Sequence, residues 1–396
     1  MDVRAVLRTL TEKHGGDARA ARAELDAILE DRRARAAAQD IEAVAEKLAI
    51  TKPLKRSGGE LVGPCPVCGG RDRFAINGRK GVFNCRVCGA NGGAVKLVGH
   101  VMGCDYGAAV DWLLGEIDLG VSADELDRRR VEAERAAERR AREAARFRAR
   151  AERSARKTWK SAVPATNTAA HSYLAGRGIS REALAVLPPT LRYLPDHRYI
   201  KALGGAPVEM HRGPAMIAAV QDARGRVRAV HQTWIDPVRR GEKARITRDG
   251  ADQPAKLVRG LKKGGAIRLS SARGCDTLVM GEGIETTLSA LVADAIPAAA
   301  YWAGVDLGNI SGHMLRVPGV KWSGQPDMED SEAFVPPAWV RRFVLIMDGD
   351  SSPTATRARL ESGARRAMAL RPGLVAEVVV LPRGKDLNDV LREGAT

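Results

Sequence analysis

No apolar run in this 396-residue chain approaches the roughly 18 residues needed to span a bilayer. The N-terminus also lacks the apolar stretch of a secretory signal. Both absences point to a soluble, cytoplasmic protein with no membrane partner. Aromatic residues make up only 4 %, yet hydrophobic residues reach 44 %, so core material is ample. Negative charge is in deficit: 48 Asp and Glu face 64 Lys and Arg, a formal net charge of +16. That surplus favours polyanions such as nucleic acid or acidic membrane surfaces, although a basic surface can also serve solubility alone. Cysteine is sparse, with six residues. At about 150 residues per domain, the length implies two or three domains.

Four of the six cysteines form Cys65-x2-Cys68 and Cys85-x2-Cys88. In a cytosolic chain this spacing reads as a closed four-thiolate tetrahedral site for structural Zn²⁺ rather than as disulfides. Cys104 and Cys275 fall at no ligand-like spacing and read as incidental thiols. His100 reads as a helix-surface residue. Arg71, Arg73, Arg79, Lys80 and Arg86 surround Phe74 and Phe83. Basic groups beside aromatic faces suit single-stranded nucleic acid; alternatively, both rings fill the small core. Zinc knuckle and net charge together favour nucleic acid over a membrane surface.

Five segments are expected. Residues 1–39 form a helical extension, either a hairpin or a partner-binding arm. Residues 40–118 form a zinc ribbon, entered by a short helix over 40–48. Its strands lie near Glu60–Val62, Arg73–Ile76 and Gly81–Asn84, and its helices near 93–101 and 108–114. Residues 119–164 are a basic helical linker with fourteen Arg or Lys against five Glu between Arg128 and Lys160. Ser122 and Glu125 resemble a capping box, and Glu138–Arg142 and Glu152–Arg156 are supporting i,i+4 pairs. This helix has no apolar stripe, which favours a solvated connector over a direct nucleic-acid contact. Residues 165–274 mix strand and helix signals, with a helix expected after Ser180 and a hairpin turn at Asp222–Gly225. Residues 275–396 alternate continuous apolar runs (278–280, 343–347, 378–381) with helical segments (286–293, 355–370). Strands buried on both faces of an open, mostly parallel α/β sheet read that way. The Pro- and acid-rich stretch 316–338 reads as a surface insertion.

Each apolar run of that last segment is followed by acid: Glu282-Gly283, Asp348-Gly349-Asp350, and Lys385-Asp386-Leu387-Asn388-Asp389. Ligands in open α/β sheets bind beyond the carboxyl ends of the strands. Clustered carboxylates repel unless a divalent cation neutralises them, and hard oxygen ligands suit Mg²⁺ or Mn²⁺. Such a site performs phosphate chemistry.

These motifs resemble the bacterial-type DNA primases, in particular the short versions of phages and mobile elements. Gly63–Cys68, Asp72–Phe74, Phe83–Cys85 and Cys88-Gly89 are similar to their zinc-binding domain. Tyr173–Ile179 is similar to the Tyr-Leu-x-x-Arg-Gly segment that opens their polymerase core. Gly225–Val227 and Lys256 resemble its N-terminal lobe, and the three acidic motifs resemble those of a Toprim domain. The likeness covers roughly residues 40–117 and 170–394. It departs from the family in using four cysteines where one His is usual. It departs too at Gly93, at Thr286 where an Asp is usual, and at Asn388. No G-x-x-x-x-G-K-[ST] loop is present, so no helicase motor is fused on this chain.

The resemblance implies an α/β Toprim domain, an α+β N-lobe and a zinc ribbon. It implies a nucleotidyltransferase that makes RNA primers from nucleoside triphosphates on a single-stranded DNA template, alongside a separate replicative helicase. Glu282, Asp348, Asp350 and Asp386 are its expected catalytic residues, with Asp348, Asp350 and Glu282 on magnesium. Arg177 and Lys256 are expected to contact nucleotide or template. A Toprim nuclease, or a non-catalytic zinc-ribbon nucleic-acid binder, are the rival readings.

Overall fold

A computed structural model of the chain describes residues 3–57, 59–115, 117, 122–203, 206–248, 250–315, 317, 320, 322–347 and 353–380. The chain divides into two compact units, Met1–Ala145 with Ala202–Pro207, and Arg146–Lys201 with Val208–Thr396. No helix among the described residues is long and apolar enough to cross a membrane.

The first unit opens with a helical hairpin, α1 (Val3–Lys13) and α2 (Ala18–Ala37). Asp17 caps α2, its carboxylate accepting from Arg19 N–H and Ala20 N–H. Leu10, Ala21, Leu25 and Ile28 form the buried seam. Helix α3 (Ile41–Lys47), capped by Asp40, leads into a five-stranded antiparallel sheet. Its strands are β1 (Lys55–Ser57), β2 (Glu60–Cys65), β3 (Gly69–Asn77), β4 (Val82–Cys85) and β5 (Asn91–Gly92). Helices α4 (Ala94–Met102) and α5 (Tyr106–Leu114) close the module, and Phe74, Ile76, Phe83, Leu97 and Val98 form its core. The 39-residue α6 (Ala123–Ser161) follows, with Glu125 N–H bonded to Ser122 Oγ at 3.3 Å. Side chains over 137–150 are almost all exposed. The Glu138–Arg142 and Glu152–Arg156 ion pairs form as expected.

The second unit contains two sheets. The lobe sheet has the order β12-β9-β8-β7-β6. Its elements are β6 (Val163–Pro164), α7 (Ala169–Ala175), β7 (Leu191–Leu203), β8 (Ala206–Gln221), β9 (Val227–Trp234) and β12 (Lys256–Gly260). A small ribbon of β10 (Ile246–Arg248) and β11 (Ala251–Gln253) stands beside it in sequence. The β8–β9 hairpin turns at Asp222, whose carboxylate accepts from Arg224 N–H and Arg226 N–H. No helix follows Ser180: a single turn ends before Pro188-Pro189, a pair that cannot continue one.

The other sheet has the order β13-β15-β14-β16-β17. Its strands are β13 (Ile267–Arg268), β14 (Thr277–Gly281), β15 (Ala300–Ala303), β16 (Arg342–Met347) and β17 (Val375–Val380). All neighbours are parallel except the edge strand β13. Helices α8 (Ile284–Val292), α9 (Leu307–Ser311) and α10 (Pro353–Leu370) flank it. Every residue of β14 is buried, as a central parallel strand requires. Fold class is therefore as expected: an open, mostly parallel α/β sheet, an α+β lobe and a small zinc-ribbon module. Met216, Ala218 and Val220 of the lobe share one core with Ile267, Ile284, Leu288 and Ala303. The 316–338 stretch is not wholly a surface insertion, because Phe334 is buried against Trp302 and Phe343.

Candidate metal centre and carboxylate edge

The ribbon is built so that two hairpin ends face one another. Cys65 ends β2 and Cys85 ends β4, and each is followed three residues later by the second cysteine of its pair. Gly69 (φ +66°) and Gly89 (φ +73°) then reverse the chain in the left-handed region that favours glycine. Cys88 N–H points at Cys85 Sγ at 3.4 Å. The four Sγ atoms lie within 4.8 Å of one another. Two separations are 4.0 Å (Cys65–Cys88) and 3.5 Å (Cys68–Cys85). With Zn–S bonds near 2.3 Å, a tetrahedron has S–S edges of about 3.8 Å. The donor set therefore fits a closed Zn²⁺ site. The Cys65 and Cys85 thiols hold the Cys88 thiol well below its ordinary value, while hydrogen bonding within the cluster and burial push their own up.

His100 is not a surface residue. It is buried on the same face of α4 as Leu97, with Nε2 3.3 Å from Cys65 Sγ. Contact of this ring nitrogen with the sulfur orients that ligand. The rings of Phe83 (5.6 Å) and Phe74 (6.4 Å) stack near-parallel to it. Both phenylalanines are thus core residues, 0 % and 2 % exposed, and offer no face for a base. Arg71, Arg79, Lys80 and Arg86 remain exposed around them. The three-residue helical spacing from Leu97 is the sequence signal that could have placed His100 inward.

In the α/β sheet, β14 ends at Gly281 and β16 at Met347, paired in parallel through Met280↔Leu345. Both strands reach the same carboxyl edge. Gly281 leaves room for Thr287, whose Oγ1 would stand 2.7 Å from a Cβ there. Glu282 follows at this edge, half-buried. Asp348, Asp350 and Asp386 lie outside the described residues.

Beside Glu282 the chain turns into α8 and carries Glu285 into the interior, 6 % exposed. Its Oε1 accepts from Tyr173 O–H at 2.7 Å and lies 3.6 Å from Lys243 Nζ; Oε2 lies 3.6 Å from Lys256 Nζ. Burial alone would raise this carboxyl, but Lys256, Lys243 and the Tyr173 hydroxyl outweigh it and hold it well below the usual range. Burial lowers Lys243 to about 8, with Lys256 and Arg177 pushing the same way and Glu285 opposing. Burial also pulls the neighbouring His231 down to about 4. Arg177 does not touch Glu285. Its Nε donates to Gly241 O at 2.7 Å and its guanidinium lies 5.8 Å from the Tyr173 ring centre. Glu285, Lys243 and the role of Tyr173 were not read from sequence, because their partners come from four separated segments.

Residues 33–129 match the CHC2 zinc finger of DnaG, and residues 149–269 match a domain of unknown function (DUF7146). No curated protein matches the chain. Among solved structures, the Aquifex aeolicus primase (zinc-binding and RNA polymerase domains) is 19 % identical. That match covers 93 % of this chain and 82 % of the other, with a TM-score of 0.36. A DNA primase domain from Pseudomonas aeruginosa is 17 % identical over 61 % of this chain and 74 % of its own (TM-score 0.39). The primase fragment of the bacteriophage T7 primase-helicase protein is 14 % identical over 84 % and 94 % (TM-score 0.28). Over residues 33–129 the chain is thus similar to the CHC2 zinc fingers.

Proposed function

We propose that the chain is a DNA primase of a phage, plasmid or other mobile element, joining ribonucleotides on a single-stranded DNA template. One observation carries this reading: a DnaG-type zinc finger with a closed tetrathiolate shares a chain with an open parallel sheet bearing Glu282-Gly283 at its carboxyl edge. In this reading Glu282, Asp348, Asp350 and Asp386 surround the reaction centre, with Asp348, Asp350 and Glu282 as metal ligands. Bound Mg²⁺ or Mn²⁺ would supply charge neutralisation at the phosphate and activation of the attacking hydroxyl. The primer 3′-oxygen bonds to the α-phosphorus of the incoming nucleotide, the α–β phosphoanhydride bond breaks and pyrophosphate leaves. Glu282 either completes the ligand set or exchanges the hydroxyl proton. Lys256 and Arg177 face nucleotide or template, the zinc ribbon holds the template, and a helicase acts as a separate partner.

The test is incubation with single-stranded DNA, ribonucleoside triphosphates and Mg²⁺, followed by separation of new oligoribonucleotides. Asp348→Ala with Asp350→Ala should abolish product while leaving DNA binding almost intact. Strand cleavage without incorporation would instead identify a Toprim nuclease, and binding without either activity a non-catalytic zinc-ribbon protein.

A further inference from the structure

The last turns of α6 are held differently from its exposed middle. Ala155, Trp159 and Ala162, spaced i, i+4 and i+7, face the lobe sheet and share a core with Tyr199, Ile217 and Trp234. Ala155 comes so close to β12 that a Cβ on Gly260 would stand 3.0 Å from its own. Two side-chain bonds fix the same turns: Arg259 Nη1 donates to Ser154 Oγ at 3.2 Å, and Arg156 Nε donates to Val227 O at 3.1 Å. This end of the helix is a packed part of the lobe.

Its opposite side carries Arg153, Lys157 and Lys160. At about 100° and 1.5 Å per residue, the three fall within an arc of about 60° and follow one another at intervals of about 6 Å and 4.5 Å along the axis. All three are exposed, and among the described residues no carboxylate pairs with any of them. Arg156, on the flank, is engaged by Glu152 at 2.6 Å. Together with Ser161 these four cations line an open cleft of about 580 Å³. A helix C-terminus ordinarily repels anions, but Arg192 covers this one, its Nη1 donating to Trp159 O at 2.9 Å and Ala162 O at 3.3 Å. The result is a fixed ridge of uncompensated positive charge.

Such a ridge suits a regular array of phosphates. Single strands are held by cations together with aromatic faces on which the bases stack. The only ring in these turns, Trp159, lies on the docked side, with the Arg192 guanidinium over it at 4.2 Å from the ring centre. A double helix needs no such face, because its bases already stack on one another and its backbone presents closely spaced phosphates. We infer that Arg153, Lys157 and Lys160 form a sequence-independent contact to the phosphate backbone of a double-stranded nucleic acid, distinct from the residues assigned above to template and nucleotide. Duplex DNA and an RNA–DNA hybrid share that chemistry.

Fluorescence anisotropy of the full-length, zinc-loaded chain tests this, without nucleotides or divalent cation. The probes are duplex DNA, an RNA–DNA hybrid and single-stranded DNA of equal length, each at several salt concentrations. Arg153→Gln, Lys157→Gln and Lys160→Gln should each make the logarithmic salt slope on a duplex shallower by about 0.9, and the triple variant by about 2.7. Between about 50 and 200 mM salt, parental affinity should then fall about 40-fold further than that of the triple variant. Arg139→Gln with Arg140→Gln, in the exposed middle of the same helix, should leave duplex binding unchanged. A response on one duplex alone names the ligand, and a response on both assigns the contact to the shared backbone. A parental slope in the triple variant on both duplexes would overturn the inference, and so would an equal loss on the single strand. Loss of binding to phosphatidylserine vesicles with duplex binding intact would instead assign the ridge to a membrane surface. The readout is binding alone, so absence of primer synthesis would leave this contact standing, and its failure would leave the polymerase reading untouched.

Discussion

His100 and Cys65, 3.3 Å apart, make a specific expectation at the level of single side chains. Removing the ring should weaken Zn²⁺ binding about 10–100-fold, the usual cost of deleting a partner to a metal ligand. A competition titration of His100→Ala against a chromophoric chelator measures it; parental affinity would remove His100 from the zinc site. His231 makes a second. Its ordinary value is near 6.5 and the folded value about 4, so the unfolded chain binds the extra proton first. Stability from this group is therefore complete above about pH 6.5 and is lost as pH falls toward 4, by about 3 kcal/mol. The depressed carboxyl of Glu285 acts with the same sign at still lower pH. Denaturant unfolding across pH 7 to 4 should show the slope, and His231→Leu should flatten it. The cysteine ligands were legible because metal geometry forces short, regular spacing. The Glu285 cluster was not, since nothing local links Tyr173, Lys243, Lys256 and Glu285 before the chain folds.

Among elements, the Gly176–Gly241 joint is the most sharply testable. Gly241→Ala imposes a left-handed backbone on a residue with a Cβ and drives that carbon into Gly176 O. Backbone strain alone costs about 1–3 kcal/mol, and at roughly 2–4 °C per kcal/mol for a unit of this size the melting temperature should drop by several degrees. An unshifted melting curve would show that the loop yields instead. Strands β14 and β16 were readable as unbroken apolar runs, and the zinc-ribbon hairpins as short β-branched or aromatic stretches between glycines; the run 378–381, expected to be buried on both faces, falls on the edge strand β17, where Val379 and Val380 are exposed, and its last residue lies outside the described residues. β7 was not, because Leu191–Leu203 carries Pro195 and interspersed charge and shows no clean alternation. The helix expected after Ser180 failed for the opposite reason: favourable composition, stopped by two prolines. Phe334 shows the limit of composition again, one aromatic side chain carrying part of an acidic, proline-rich stretch into the core.

At the scale of the whole molecule, the +16 net charge governs how a polyanion is met. Affinity for single-stranded DNA should fall linearly with salt on logarithmic axes, with a slope of about −0.7 per phosphate neutralised. Fluorescence anisotropy at several salt concentrations reads this directly, and a flat line would show that the surplus serves solubility. The middle of α6 should contribute little. Its side chains over 137–150 are exposed and bury almost nothing, as expected of a solvated connector, so Arg139→Gln with Arg140→Gln should leave the slope unaltered. Fold class was legible because strand and helix stretches each carry their own periodicity. How lobe and α/β sheet come to share a core through Met216, Ile284 and Leu288 was not, since no local pattern encodes a partner.

The pairing of β14 with β16 has a bearing on how such chains diverge. Register runs without a break from Thr277↔Arg342 to Met280↔Leu345. Residues inserted between α9 and β16, around the buried Phe334, can accumulate without disturbing the ladder, because it re-imposes the same alignment at Arg342. One residue gained inside either strand would instead turn its inward side chains outward and offset the two exits by a full step. Natural variants should therefore differ widely in length across 312–338 and hardly at all across 277–281 and 342–347.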